Sequence, residues 1–213
     1  MPRPALPALL AGLAFTVTPA LSAPVAVPSP SNSTLPSCFV ACPLGDIHIV
    51  ATIRDLANVP AAGSMVVLDF SGCAGANVCA SSASDPYVYD PVSRTIRMAA
   101  NGAGNVDFPL RVGGGCGTGG VRMFADGVLM SSYALVSPDQ TGNGVVLCIV
   151  GDNDCAAFVA KLGTADPSAD WDCDGDVDNV DGNHIVAEHY LHSCDGVVPT
   201  RHDSWGRLKS LYR

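Results

Sequence analysis

Along residues 46–55 apolar and polar side chains alternate, with Ile47, Ile49, Ala51 and Ile53 on one side. A period of two over such a run marks a half-buried strand. Residues 65–70, 95–99, 106–112, 121–125 and 128–135 read as further strands. Asn101-Gly102 and Asp126-Gly127 are tight-turn pairs, the second placed to join a hairpin. The run 113–120 is too rich in glycine for a strand. It also lacks the Lys-Ser/Thr and helix that follow a phosphate-binding loop, so a surface loop is expected there. Beyond residue 137 the period changes. Residues 154–163 and 182–191 carry helical spacing, and in the second Ile185, Val186, His189 and Tyr190 share one face. The pattern predicts a mainly β chain, residues 45–137, followed by a small α unit, residues 138–194.

Between the two helical segments Asp170, Asp172, Asp174, Asp176, Asp178 and Asp181 fall at positions 1, 3, 5, 7, 9 and 12 of a twelve-residue loop. Gly175 stands at position 6 and Val177 at position 8. Ca²⁺ is a hard cation that takes six to eight oxygens, and this spacing wraps them around one centre. Asp170, Asp172 and Asp174 would give side-chain oxygens, Asp176 its backbone carbonyl, Asp178 a bridging water, and Asp181 the closing carboxylate. Gly175 permits the mid-loop turn, and Val177 would point into the core. A disordered acidic linker is the competing reading, and the fixed spacing with glycine at position 6 argues against it.

Asp181 stands where an EF-hand loop has Glu, and in this the loop resembles type I dockerin repeats. That resemblance implies one helix after each loop and a second repeat upstream. Asp154 and the helical segment after it match Asp181 and its helix. Before them Asp139, Thr141 and Asn143 occupy positions 1, 3 and 5, Gly144 position 6, Val145 position 7 and Val146 position 8. An ungapped loop would then place Leu147 and Val150 at positions 9 and 12, where neither can ligate. A four-residue insertion would bring Asp154 into the closing role, so the first site is expected to be weak or lost. The dockerin resemblance further implies a docking surface on the helix faces. In this sequence it falls on Asn179, Val180, His184 and Glu188, facing a cohesin-like or other cell-surface partner.

About seven short strands in some ninety residues fit a β-sandwich of immunoglobulin type. The runs 49–55, 59–63, 66–70 and 101–108 also resemble the bacterial Ig-like modules of invasin-type surface proteins. That likeness implies a fold and no particular ligand.

The net charge is −9, and 11 of the 20 acidic residues lie between Asp139 and Cys194. Lys161 is the lone Lys or Arg in that stretch. Such a balance excludes nucleic acid as a partner, which would need a basic face. Arg3, the apolar run 5–17 and small residues at Ala20, Ser22 and Ala23 read as a cleaved signal peptide over 1–23. A Pro/Ser-rich linker is expected over 24–44, and no later segment is apolar for long enough to cross a membrane. Export makes disulfides the default for the nine cysteines. Cys73 and Cys79 could pair locally, Cys173 and Cys194 flank the second loop unit, and no C-x-x-C zinc spacing occurs. The connectivity stays open.

No catalytic constellation stands out. His184, Glu188 and His189 form H-x-x-x-E-H, one residue too long for the inverted zinc motif. There is no G-x-S-x-G elbow, and the carboxylates belong to the loops. The chain reads as a secreted, non-catalytic calcium protein of assembly or stabilisation. The alternative is an accessory, glycan-binding or scaffold-docked component of a polysaccharide-degrading complex. Phe70, Tyr87, Tyr89, Phe108, Phe124 and Tyr133 are its available stacking rings. The tail 195–213 is basic and amphipathic, with Trp205, Leu208, Leu211 and Tyr212 on one helical stripe.

Overall fold

The computed structural model describes residues 26–79, 86–140, 150–194 and 196–197. The signal-peptide segment and the tail beyond 197 lie outside the described residues.

The chain is mainly β. Among the described residues nine strands precede the helices: β1 His48–Thr52, β2 Met65–Asp69, β3 Asn77–Val78, β4 Val88–Asp90, β5 Thr95–Ala99, β6 Asn105–Pro109, β7 Val112–Gly113, β8 Cys116–Ala125 and β9 Val128–Leu135. An open sheet runs in the order β4-β5-β2-β8-β9, and two-stranded ribbons β1-β6 and β3-β7 accompany it. Every strand pair among them is antiparallel. The period-two pattern decides which faces meet. Ile49 and Ala51 of β1, Val106 and Phe108 of β6, Val66 and Leu68 of β2, Ile96 of β5, and Val121 and Met123 of β8 are all buried in one apolar core. Burying a side chain of this size stabilises by about 1.5–3 kcal/mol before conformational entropy is set against it.

Asp126 and Gly127 both have positive φ, 46° and 82°, and turn β8 back into β9. This is the twist-compatible hairpin turn expected from the dipeptide. Asn101-Gly102 also turns, but it leads from β5 in the open sheet to β6 in the ribbon, so no hairpin forms there.

Two expectations are corrected. The glycine-rich run is strand from Cys116 to Gly120, the first half of β8. Glycines of the segment facing it let the two backbones approach: a Cβ on Gly75 would lie 2.6 Å from the Gly115 carbonyl oxygen, and one on Gly72 would lie 3.0 Å from that of Gly120. Cys73 and Cys79 do not pair with each other. The Arg94 guanidinium donates to the carbonyls of Cys73 and Ala76, at 2.8 and 2.6 Å, fixing a turn that leaves Cys73 facing β8. Strand β3 then carries Cys79 away to the backbone of Arg111. Among the described residues the bonds formed are Cys73–Cys116, Cys79–Cys194 and Cys38–Cys173.

The stretch expected to be a linker differs too. From residue 26 it packs on the β structure, with Phe39, Ala41 and Cys42 buried. Backbone hydrogen bonds join Ser29 to Arg54, Thr34 to Thr52, and Ala41 to Val136. Phe39 meets the rings of Phe70 and Tyr133 at 6.0 and 5.4 Å between centroids.

The C-terminal part holds helix α1 Asp152–Val159, helix α2 Asn179–Gly182, a π-helical turn Asn183–Glu188, and strands β10 His192–Ser193 and β11 Gly196–Val197. A second, smaller apolar cluster of Phe158, Ala169 and Val177, with Trp171 against it, sits between the helices and the acidic loop. No described helix is long and apolar enough to cross a membrane.

Candidate metal centre

The loop 170–181 closes on itself through its own carboxylates. Asp170 accepts from the backbone N–H of Asp174 at 3.1 Å and of Gly175 at 3.0 Å. Asp172 and Asp174 each accept from the N–H two residues on, at 3.3 and 3.1 Å. Asp181 spans the loop: one oxygen accepts from Trp171 and Asp172, the other from Asp178 at 2.8 Å. Gly175 has φ +103°, a conformation L side chains rarely adopt. Val177 is buried, and its backbone exchanges hydrogen bonds with Gly163 and Thr164 at 2.8 and 2.9 Å.

The six expected ligands gather in two sets. Asp170, Asp172 and Asp174 bring carboxylate oxygens within 4.8 Å of one another, as do Asp176, Asp178 and Asp181. Either set could hold a metal ion. Asp170 and Asp181 are buried and the other four exposed. Crowding shows in their protonation. Desolvation within the loop, then the charge of Asp174, raises Asp172 above its ordinary value. Asp176 is pushed up chiefly by the charge of Asp174.

Of the expected first site, Asp139 and Asp154 are both buried, and Thr141, Asn143 and Val145 lie outside the described residues. Asp154 accepts from the N–H of Gly151 at 2.8 Å, three residues back at the start of α1. Asp181 does the same to Asp178 at the start of α2. The two aspartates thus hold equivalent places at the starts of α1 and α2, each satisfying an orphan N–H of its helix.

Asn179, Val180 and Glu188 are exposed, and His184 is half-buried. His184 Nδ1 lies 3.0 Å from Glu188, and its ring stacks on Trp171 at 6.2 Å. His189, expected on a helix face, is buried.

Two features had little signal in the sequence. Lys161 donates to Gln140 and Ser168 at 2.8 and 2.7 Å and pairs with Asp166 at 3.5 Å, tying the lead-in of the loop to residue 140. Cys173, at loop position 4, bonds to Cys38, in the segment that precedes β1. The chain matches no protein-family model, no curated protein and no solved structure.

Proposed function

We propose that this is a secreted or cell-surface, non-catalytic calcium-binding protein in which a dockerin-like pair of loop–helix units is fastened to an Ig-like β-sandwich. The carrying observation is the loop 170–181. Its aspartates accept from the loop's own N–H groups, Gly175 makes the turn, and Val177 anchors the loop in the core. Six carboxylates in one loop, two of them raised by mutual repulsion or desolvation, are relieved by a dication, and oxygen-only donors favour Ca²⁺. The ion stabilises the C-terminal unit and orients Asn179, Val180, His184 and Glu188 toward a protein partner.

The three disulfides support export to an oxidising compartment. They also favour a module built into its host over one that swings freely, since Cys38–Cys173 and Cys79–Cys194 both bind the calcium unit to the β part. The glycan-binding alternative is weaker. Phe70, Tyr87, Phe108 and Tyr133 are buried, which withdraws most of the rings a sugar would stack on.

The test is thermal unfolding of the full chain in calcium and in chelator. The midpoint should rise with Ca²⁺ and fall with chelator, by RT ln(1 + [Ca²⁺]/Kd) in free energy, and Asp170→Ala with Asp181→Ala should abolish the response. Unchanged melting in excess chelator would sink the reading. A partner captured from the native envelope should be released by chelator and weakened by bulky charged substitutions at Asn179 and Val180.

A further inference from the structure

Away from the acidic loop, four side chains from opposite ends of the chain converge. Cys42 Sγ, Asp46, His189 and His192 each place one donor atom within 4.8 Å of all the others. Cys42 Sγ lies 3.4 Å from His192 Nδ1, Asp46 Oδ2 lies 3.3 Å from the same nitrogen, and His189 Nε2 is 3.8 Å from Asp46 Oδ2. A tetrahedral site with arms of about 2.0–2.3 Å separates its donors by about 3.3–3.6 Å. Three of the cluster's six edges are at or near that length, and the other three lie within 4.8 Å.

Its ring tautomer fits as well. His189 Nδ1 lies 2.6 Å from the backbone carbonyl of His184, which can only accept, so Nδ1 carries the proton. With that proton on Nδ1, Nε2 is the atom turned to the cluster, facing a carboxylate oxygen of Asp46. A nitrogen lone pair and a carboxylate oxygen so placed repel unless a proton or a metal ion lies between them. A ring oriented through its other nitrogen by a backbone carbonyl is the usual second support of a metal-bound histidine.

Both pairs of donors are held in closed turns. Gly45 N–H donates to the Cys42 carbonyl at 3.0 Å, and Gly45 has φ +79°. Arg111 donates to the Leu44 carbonyl at 2.7 Å, so Asp46 is brought back beside Cys42. On the other side His192 N–H donates to the His189 carbonyl at 3.0 Å. Between them Leu191 sits at φ +68°, a costly conformation for a leucine, held by a hydrogen bond from its N–H to the Val150 carbonyl. Cys42 and His189 are buried, and Asp46 is the donor on the solvent side.

We infer that Cys42, Asp46, His189 and His192 form a structural site for Zn²⁺, distinct from the calcium loop and joining the segment before β1 to the turn after the π-helix. A thiolate and two imidazoles select a borderline metal over Ca²⁺ or Mg²⁺, and four protein donors leave no open position for catalysis. On binding, the Cys42 thiol proton passes to solvent. Cys42 is in no disulfide, whereas six other cysteines are paired.

The experiment uses the untagged full chain with its disulfides formed, equilibrated with micromolar Zn²⁺ in millimolar Ca²⁺, dialysed and assayed for metal. One zinc per chain is expected, retained in Asp170→Ala/Asp181→Ala and lost in Cys42→Ser and in His189→Ala/His192→Ala. Replacement by Co²⁺ should give a thiolate charge-transfer band in the near ultraviolet, a readout on the native chain that needs no variant to fold. Asp46→Asn, at the exposed donor, should weaken zinc retention while the fold and calcium response persist. Little or no zinc in the native chain, a cobalt spectrum without the thiolate band, or peptide mapping that finds Cys42 in a disulfide each overturns the proposal.

Discussion

Asp172 and Asp176 set the pH behaviour expected of the acidic loop. Both have folded pKa values above the ordinary 3.8, Asp172 by desolvation and then Asp174, Asp176 by Asp174 first. In the ion-free chain the folded loop therefore holds protons that the unfolded chain releases, and stability falls as pH rises through that window. Calcium demands the ionised form, so its contribution grows in the same direction. The gap between melting midpoints in calcium and in chelator should be small near pH 4 and widen toward pH 7; a gap of constant size across that range would count against the loop as the ion's site. Asp166 behaves oppositely. Burial raises its pKa, but hydrogen bonds from Ser168 and the Lys161 charge outweigh this and lower it. Its contribution is complete above 3.8 and is lost as pH falls through the lower folded value.

At the scale of elements, the turn between β5 and β6 offers a paired test. A Cβ on Gly102 would meet nothing, whereas Gly104 has φ +79° and a Cβ there would collide with the Ile53 carbonyl oxygen. Gly102→Ala should change stability by within about 0.5 kcal/mol, and Gly104→Ala should cost at least about 2 kcal/mol in urea unfolding. Similar costs for both would show that the turn is not held as described. Gly182 brings α2 close to α1 in the same manner: a Cβ would lie 2.8 Å from a ring carbon of Phe158 in α1. Gly182→Ala should lower stability by about 1–3 kcal/mol. The strands that alternate cleanly, such as 48–52 and 105–109, were legible because side-chain period alone places them. The glycine-rich half of β8 was not, because its strand character comes from neighbours at Gly72 and Gly75 that the local sequence does not reveal. The acidic loop was legible for the converse reason: its proposed ligands lie within twelve residues. Cys42, Asp46, His189 and His192 had no such signature, since the fold and not the spacing brings them together.

Over the whole molecule, long-range covalent closure governs. Cys38–Cys173 and Cys79–Cys194 close sequence separations of 135 and 115 residues. Loops of that size restrict the unfolded chain by up to about 5 kcal/mol each in the chain-entropy account. Replacing Cys38 and Cys173 together by Ser should lower the melting midpoint and weaken calcium binding, because loop position 4 is then released from the N-terminal segment. Unaltered calcium affinity would show that the loop keeps its shape without the tether. The same bond has a mechanical consequence. Tension entering before Cys38 and leaving after Cys194 divides between two paths. One crosses to Cys173 and follows the short stretch to Cys194; the other follows the backbone through β1, β2 and β3 to Cys79 and crosses there to Cys194. Strands β4 to β9 and α1, between Cys79 and Cys173, lie on neither backbone path. Pulled from its two ends, the oxidised protein should extend by no more than its tails and the Cys173–Cys194 stretch, and full release of the chain between Cys38 and Cys173 should come only after reduction.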